Sequence, residues 1–353
     1  MTDPVISPDG KWMWTGSEWI PAPPAAEPVS VSMQDSVIAG DVNITQNNAE
    51  DIAAAMVTAL ERIGFSGQSS PAELTPSQEK EVEQVLEMSE QLAGHGIEID
   101  PWTEITLGNA AFLAGRTHSA QQHCLRALET FRKNTERYGE ASALTGLGNI
   151  AQTRGDLAEA ERLQRESLAI NREISDRQFE AISLHNLGTI AEKRGDLAEA
   201  ERLYRESLAI EREIGNRQGE AGSLNGLGLI AQTRGDLAEA ERLHRESLAI
   251  KREIGDRQGE AASLINLGNI AQTRGDLAEA ERLQRESLAI KREIGDRQGE
   301  ADSLHNLGTI AKTRGDLAEA ERLQRESLAI MREIGNRQGE AASLINLGNI
   351  AQT

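Results

Sequence analysis

Six histidines (His95, His118, His123, His185, His244 and His305) and one cysteine, Cys124, are the side chains of this 353-residue sequence best suited to metal ligation or nucleophilic attack. A metal needs several such groups converging, and a nucleophile needs a base beside it. No histidine stands at ligand spacing from a cysteine or carboxylate. His123 and Cys124 are neighbours, yet adjacent residues on a helix point about 100° apart and do not form a dyad. Cys124 therefore reads as a packed small residue. No phosphate-cradling glycine loop appears either. The expectation is a non-enzyme with no metal and no cofactor.

The tripeptide Arg-Gly-Asp is a second candidate, because on an exposed loop it is an adhesion signal. It occurs five times, starting at Arg154, Arg194, Arg234, Arg274 and Arg314. These starts are 40 residues apart, and nearly everything around them repeats as well. Five near-identical copies fill 141–180, 181–220, 221–260, 261–300 and 301–340. A diverged copy, 101–140, keeps Leu107, Gly108, Gly115, Ala120 and Ala127 in register, and 341–353 is the start of a further copy.

Each copy predicts two helices. In 261–300, Leu264, Leu267, Ile270 and Ala271 make one apolar stripe, and Leu277, Ala280, Leu283, Ser287, Ile290 and Ile294 make another. Gly275 suits the left-handed residue that closes the first helix. Asp276 caps the second, with Glu279 completing a capping-box-like pair. Gly295 and Asp296 repeat the arrangement at the next boundary. The tripeptide is thus a helix end, a turn and a helix start, not an adhesion ligand. Glu279–Arg282 and Glu281–Arg285 are helical neighbours worth a few tenths of a kcal/mol each, which keep an outer face soluble.

Leu144, Leu147, Gly148, Gly155, Asp156 and Ala160 fall where the tetratricopeptide repeat (TPR) has its signature, and the array resembles that family. The usual unit is about 34 residues. This 40-residue form, with a longer second helix, is similar to the arrays of kinesin light chains and of Leu-Gly-Asn-type spindle-orientation adaptors. Leu or Ala replaces the family's usual aromatics, and Ser167 stands where Ala is common. Small residues at Gly148, Ala160 and Ser167 let the paired helices approach. The resemblance implies an all-α, right-handed superhelical solenoid of antiparallel helix pairs, and is weak for function.

Differences between copies point to a surface. The fifth position reads Thr145, His185, Asn225, Ile265, His305, Ile345; the ninth reads Asn149, Thr189, Leu229, Asn269, Thr309, Asn349. The twelfth reads Gln152, Glu192, Gln232, Gln272, Lys312, Gln352. These lie on one face of the first helix, off its apolar stripe. The sixth adds Asn186, Asn266, Asn306 and Asn346, with Gly146 and Gly226 in the other copies. The resemblance implies that this face lines a concave groove whose asparagines grip an extended peptide. A carboxamide offers both donor and acceptor to a peptide unit. Drift where packing allows would give the same variation. The expected groove comprises Asn149, His185, Asn186, Thr189, Asn225, Asn266, Asn269, His305, Asn306, Thr309, Asn346 and Asn349. Position 24 (Cys124, Gln164, Tyr204, His244, Gln284, Gln324) is mostly polar and reads as partly exposed between second helices.

Ahead of the array, residues 1–24 read as a Trp-rich hairpin, in which Trp12, Trp14 and Trp19 stack on one another or contact a partner. Residues 25–36 are a Pro/Ala-rich linker, 37–65 a short β segment plus an amphipathic helix, and 66–75 a second linker. Residues 76–100 are a helix and loop capping the array. One strand pair and one helix cannot enclose a core, so self-association or docking on the array is expected to cover that helix. The array's last helix is an unmodified interior copy; it reads as truncated or as covered by another chain, with Leu344, Leu347 and Ile350 exposed.

The chain is 38% hydrophobic, 27% charged and 3% aromatic, with net charge −20. Residues 1–100 carry 17 acids and 3 bases, and residues 101–353 carry 40 and 34. Neither part offers the basic surface that nucleic acid needs. No membrane span and no secretory leader is apparent, and the setting expected is cytoplasmic. The functional expectation is a non-catalytic scaffold or adaptor that binds protein or peptide partners. The alternative is an assembly subunit, a homo-oligomer built through the N-terminal segment and the uncapped end.

Overall fold

The computed structural model describes residues 5–6, 12–14, 19–21, 49–65, 74–94 and 96–352. Three short strands, β1 (Val5–Ile6), β2 (Trp12–Trp14) and β3 (Trp19–Pro21), pair antiparallel, with Val5 opposite Trp14 and Trp14 opposite Trp19. They are all that is described before Ala49, and pairings this short do not make a stable β unit by themselves. The strands expected around 37–44 and the linker 25–36 lie outside the described residues, as does most of the linker 66–75.

Fifteen α-helices follow among the described residues. They are α1 (Ala49–Arg62), α2 (Pro76–Gly94), α3 (Pro101–Leu113), α4 (Thr117–Lys133), α5 (Arg137–Thr153), α6 (Leu157–Glu173), α7 (Arg177–Lys193) and α8 (Leu197–Ile214). Then come α9 (Arg217–Thr233), α10 (Leu237–Glu253), α11 (Arg257–Thr273), α12 (Leu277–Glu293), α13 (Arg297–Arg314), α14 (Leu317–Glu333) and α15 (Arg337–Ala351). They divide into two compact units, residues 1–123 and 124–353.

In the first unit, Ile52, Met56, Leu60, Ile63 and Phe65 are all buried. The sequence predicts that this face needs a second copy or the array to cover it. Instead α2 and α3 pack on α1, bringing Val82, Val85 and Leu92 into the same core. The apolar face of α1 is therefore satisfied within one chain, and it supplies no reason for self-association.

In the second unit each copy is a helix pair, α5 with α6, α7 with α8, and so on to α13 with α14. The turn inside each pair forms as the tripeptide predicts. Arg154 ends α5, Gly155 adopts φ +81°, and the Asp156 carboxylate accepts from the Glu159 N–H at 3.1 Å. The capping box is only half made. The Asp276 N–H donates to the Ala271 carbonyl and the Glu279 carboxylate turns to Arg282, so no reciprocal bond forms.

Ser167 explains itself once buried. Its hydroxyl donates to the Ala141 carbonyl at 3.0 Å, and Ser207, Ser247, Ser287 and Ser327 make the same bond in their copies. Alanine there would fit but would not tie the second helix to the start of the first. Ile294 departs from the expected stripe. Helix α12 ends at Glu293, so Ile294 occupies the C-cap and is half-exposed, as are Ile214, Ile254 and Ile334. Leu288 takes the buried place instead. On α15, Leu344 is exposed as expected, but Leu347 is half-buried and Ile350 is buried.

Candidate functional site

First helices of successive copies meet along the face that carries the variable residues. Asn149, His185, Asn186, Thr189, Asn225, Asn266, Asn269, His305, Asn306, Thr309 and Asn346 are half-buried there, and Asn349 is exposed. Asparagines tie one first helix to the next. Asn186 Nδ2 donates to Asn149 Oδ1 at 3.3 Å, and Asn266 Nδ2 donates to Asn225 Oδ1 at 3.1 Å. Asn346 Nδ2 lies 3.1 Å from His305 Nε2. Asn306 Nδ2 reaches Gln284 Oε1 at 3.5 Å. The amide nitrogens thus point back one copy. The Oδ1 atoms of Asn186, Asn266 and Asn306 have no partner among the described residues, and oxygens so placed can accept from peptide N–H groups.

Position 24 is the main correction. Gln164, Tyr204, His244, Gln284 and Gln324 are buried, not partly exposed. Each lies across the glycine of Leu-Gly in its own copy: a Cβ on Gly148 would stand 2.6 Å from Gln164, and one on Gly188 2.8 Å from Tyr204. The glycine is a slot that makes room for the opposing side chain, and Gln164 Nε2 finds partners there in the Thr145 carbonyl at 3.2 Å and Asn149 Oδ1 at 3.1 Å. The side chain also reaches the sixth position of the next copy. A Cβ on Gly226 would stand 2.8 Å from Tyr204, and one on Gly146 3.2 Å from Cys124. Gln at position 24 is followed by Asn (Asn186, Asn306, Asn346), whereas Tyr204 and Cys124 are followed by glycine; His244, followed by Asn266, departs from this pairing. The pairing is visible in the sequence once copies are compared two positions at a time.

Tyr204 organises the one aromatic spot on this face. Its hydroxyl donates to Glu192 Oε2 at 3.0 Å and lies 3.0 Å from Thr189 Oγ1, and its ring sits 5.1 Å from that of His185. Burial pushes the His185 pKa down and, more strongly, the Tyr204 pKa up. His185 is therefore held towards its neutral form.

The seam between the second helices and the starts of the first helices carries a different chemistry. Glu180 is buried and clamped by Arg172 Nε at 2.8 Å and Arg177 Nη1 at 2.5 Å. Arg172 also pairs with Glu206 of the next copy, and Arg177 with Glu213 at 2.8 Å. Arg194 pairs with Glu161 of the preceding copy, so even the tripeptide's arginine is engaged within the array. The same pattern recurs around Glu220, Glu260 and Glu300. Sequence reasoning finds only the pairs within a helix; those between copies were signalled by the invariance of Arg172, Arg177 and Glu180 equivalents. Four clefts of about 540 to 800 Å³ lie between neighbouring second helices. Their floors are leucines such as Leu208 and Leu224, and their rims are these ion-paired Arg and Glu residues. They hold no group free for chemistry.

One histidine does meet a carboxylate, against the sequence reading. His123 Nδ1 lies 2.5 Å from Glu104 Oε2, and Ser89 Oγ lies 3.5 Å from His123 Nε2. The order Ser–His–Glu is that of a nucleophile, base and orienter. All three are buried, however, and the Ser89 hydroxyl donates to the Leu86 carbonyl of its own helix at 2.7 Å. Substrate has no access, and the trio serves the core. Among the described residues no group of His, Cys, Asp or Glu could hold a metal ion, and no helix is long and apolar enough to cross a membrane. Cys124 is buried, which fits a packed small residue and not the partial exposure expected of position 24.

No curated protein matches the sequence. Solved structures do. BtubC (BKLC) from P. vanneervenii aligns with TM-score 0.56 at 22% identity, covering 62% of this chain and 92% of that one. A Rap protein complexed with Competence and Sporulation Factor gives 0.54 at 14% identity, covering 91% and 96%. A signal transduction ATPase with numerous domains from Pyrococcus horikoshii, with a tetratricopeptide repeat sensor, gives 0.63 at 14%, covering 97% and 53%. At these identities the likeness is one of fold. The tetratricopeptide-repeat profile matches 100–173, 139–213, 179–253, 219–293, 259–333 and 299–353, in steps that follow the 40-residue period. With helix pairs, capped turns and Leu-Gly slots in the same register, this chain belongs to the tetratricopeptide-repeat family.

Proposed function

We propose that this chain is a non-catalytic scaffold that binds extended peptide segments of protein partners along its first-helix face. The observation that carries the reading is the asparagine ladder. Its nitrogens are used between copies while the Oδ1 atoms of Asn186, Asn266 and Asn306 are left to accept. Acceptors spaced one and two copies apart suit a peptide backbone, whatever its side chains, and the neighbouring Asn149, His185, Thr189, Asn225, Asn269, His305, Thr309, Asn346 and Asn349 would add selectivity. A chain of similar fold has been solved in complex with Competence and Sporulation Factor. Trp12, Trp14 and Trp19 are read as an accessory contact outside the array.

The test uses full-length protein as bait in native lysate beside N186A/N266A/N306A and W12A/W14A/W19A variants. A partner lost with the asparagines and kept with the tryptophans supports the groove. Equal recovery by wild type and the asparagine variant sinks it.

A further inference from the structure

Charge is distributed unevenly between the two helices of a copy. The stretches 141–153, 221–233 and 261–273 contain no charged residue at all. In 181–193 there are Glu192 and Lys193, and in 301–313 Asp302 and Lys312, so the five first-helix stretches balance. Glu192 already accepts from the Tyr204 hydroxyl, and Asp302 accepts from Gln298 Nε2 at 3.1 Å. Every second helix, by contrast, is dense in Arg and Glu, as in "LAEAERLQRESLAIKRE" of α12, and pairs them within the array. The half-buried first-helix face therefore offers amides and hydroxyls but no cluster of either sign.

We propose that the segment bound on this face is uncharged where it touches the array. It is an extended stretch rich in amide and hydroxyl side chains, with an apolar side chain falling at Leu229 and Ile265. This deepens the peptide-binding reading and rests on it. Away from the twelfth position, where Glu192 and Lys312 stand, a carboxylate or ammonium brought onto the face would lose water without gaining a counter-charge, a loss that grows with burial. His185, its pKa pushed down by burial, provides no cation near neutral pH. Leu229 and Ile265 stand on neighbouring first helices, at positions where most other copies carry Asn, Thr or His, and both are half-buried. An extended chain advances about 3.3 Å per residue and helices pack about 10 Å apart. Roughly three peptide residues therefore pass each copy, which sets the oxygens of Asn266 and Asn306 about three residues apart along the peptide and those of Asn186 and Asn266 about six.

The experiment is selection of a phage-displayed random library of roughly 15-residue peptides, a length that spans five copies at that step, on the full-length protein. N186A/N266A/N306A and L229N/I265N variants are run in parallel. Expected are enriched peptides depleted in Asp, Glu, Lys and Arg, carrying an apolar residue whose preference disappears with L229N/I265N. Their Kd should change by less than about twofold between low and high salt, because no ion pair is there to screen. Charged peptides that still need the asparagines would overturn this inference and leave peptide binding standing. No enrichment, or enrichment indifferent to the asparagine changes, would overturn the peptide-binding reading itself and this inference with it.

Discussion

First and second helices are under different constraints, and comparing α7 with α8 makes the difference concrete. In α8 the outward residues are charged, match those of the other copies and are engaged: Arg202 pairs with Glu199 and Glu206, and Arg212 with Glu220 and Glu246. In α7 the outward residues are His185, Asn186 and Thr189, uncharged and different from copy to copy. One helix spends its surface on holding the stack together. The other holds it mainly through its buried stripe, its glycine slot and the ion pairs at its N-terminus, with single amide bonds such as Asn186 to Asn149 across an outer face that is freer to vary. A binding face belongs where stability does not depend on the side chains.

That contrast can be broken by experiment. The largest effect is expected inside the slot. G188V places a branched side chain against the Tyr204 ring and should cost about 3 kcal/mol by chemical denaturation. A variant as stable as wild type would mean the paired helices are not close-packed. Removing the shared carboxylate of two arginines comes next. E220A leaves Arg212 and Arg217 with only their outer partners, Glu246 and Glu253, and should cost about 2 kcal/mol. The arginines are half-exposed, which keeps this below the loss for a fully buried pair.

A pH effect is expected from the same seam. Glu211 is buried with Oε2 unpartnered, close to Glu220, and burial above all raises its pKa to about 7. A folded-state pKa above the ordinary 4.5 means that its stabilising contribution is full below about 4.5 and is lost as pH rises through about 7. E211Q should flatten that part of the stability profile and exceed wild type above pH 7. An unchanged slope would show that Glu211 ionises freely.

Smaller and opposite in sign is the turn after α6, where Ser175 adopts φ +58° while Gly215 and Gly255 serve the later copies. S175G should stabilise by about 1 kcal/mol, since a left-handed residue with a side chain is strained. Smallest is N186A, which removes one amide bond on a half-buried face and should shift stability by less than about 0.5 kcal/mol. If N186A unfolds the array, the asparagines belong to the framework and the contrast between the helices fails.

Much of this was legible beforehand because it is local. The helix pairs, the Gly155 and Asp156 turn, the stripes of leucine and the face carrying Asn186 follow from the 40-residue period and from helical geometry. What was misread is non-local. Position 24 appears exposed because its residues are polar; only the opposed Gly148 and Gly188 slots show why Gln164 and Tyr204 are buried. His123 and Glu104 are 19 residues apart, and their contact depends on how α3 packs against α4.

The sequence by itself determined the repeating unit, its two helices and its capped turns, since these depend on residues within one turn of each other. Tertiary structure alone decided which polar residues are buried, that α1 finds its cover within the chain, and that Arg172 and Arg177 reach across copies. The reason is distance along the chain. A helix and its caps are settled by neighbours, whereas burial and ion pairing between copies depend on groups about forty residues away, which meet only when the stack forms.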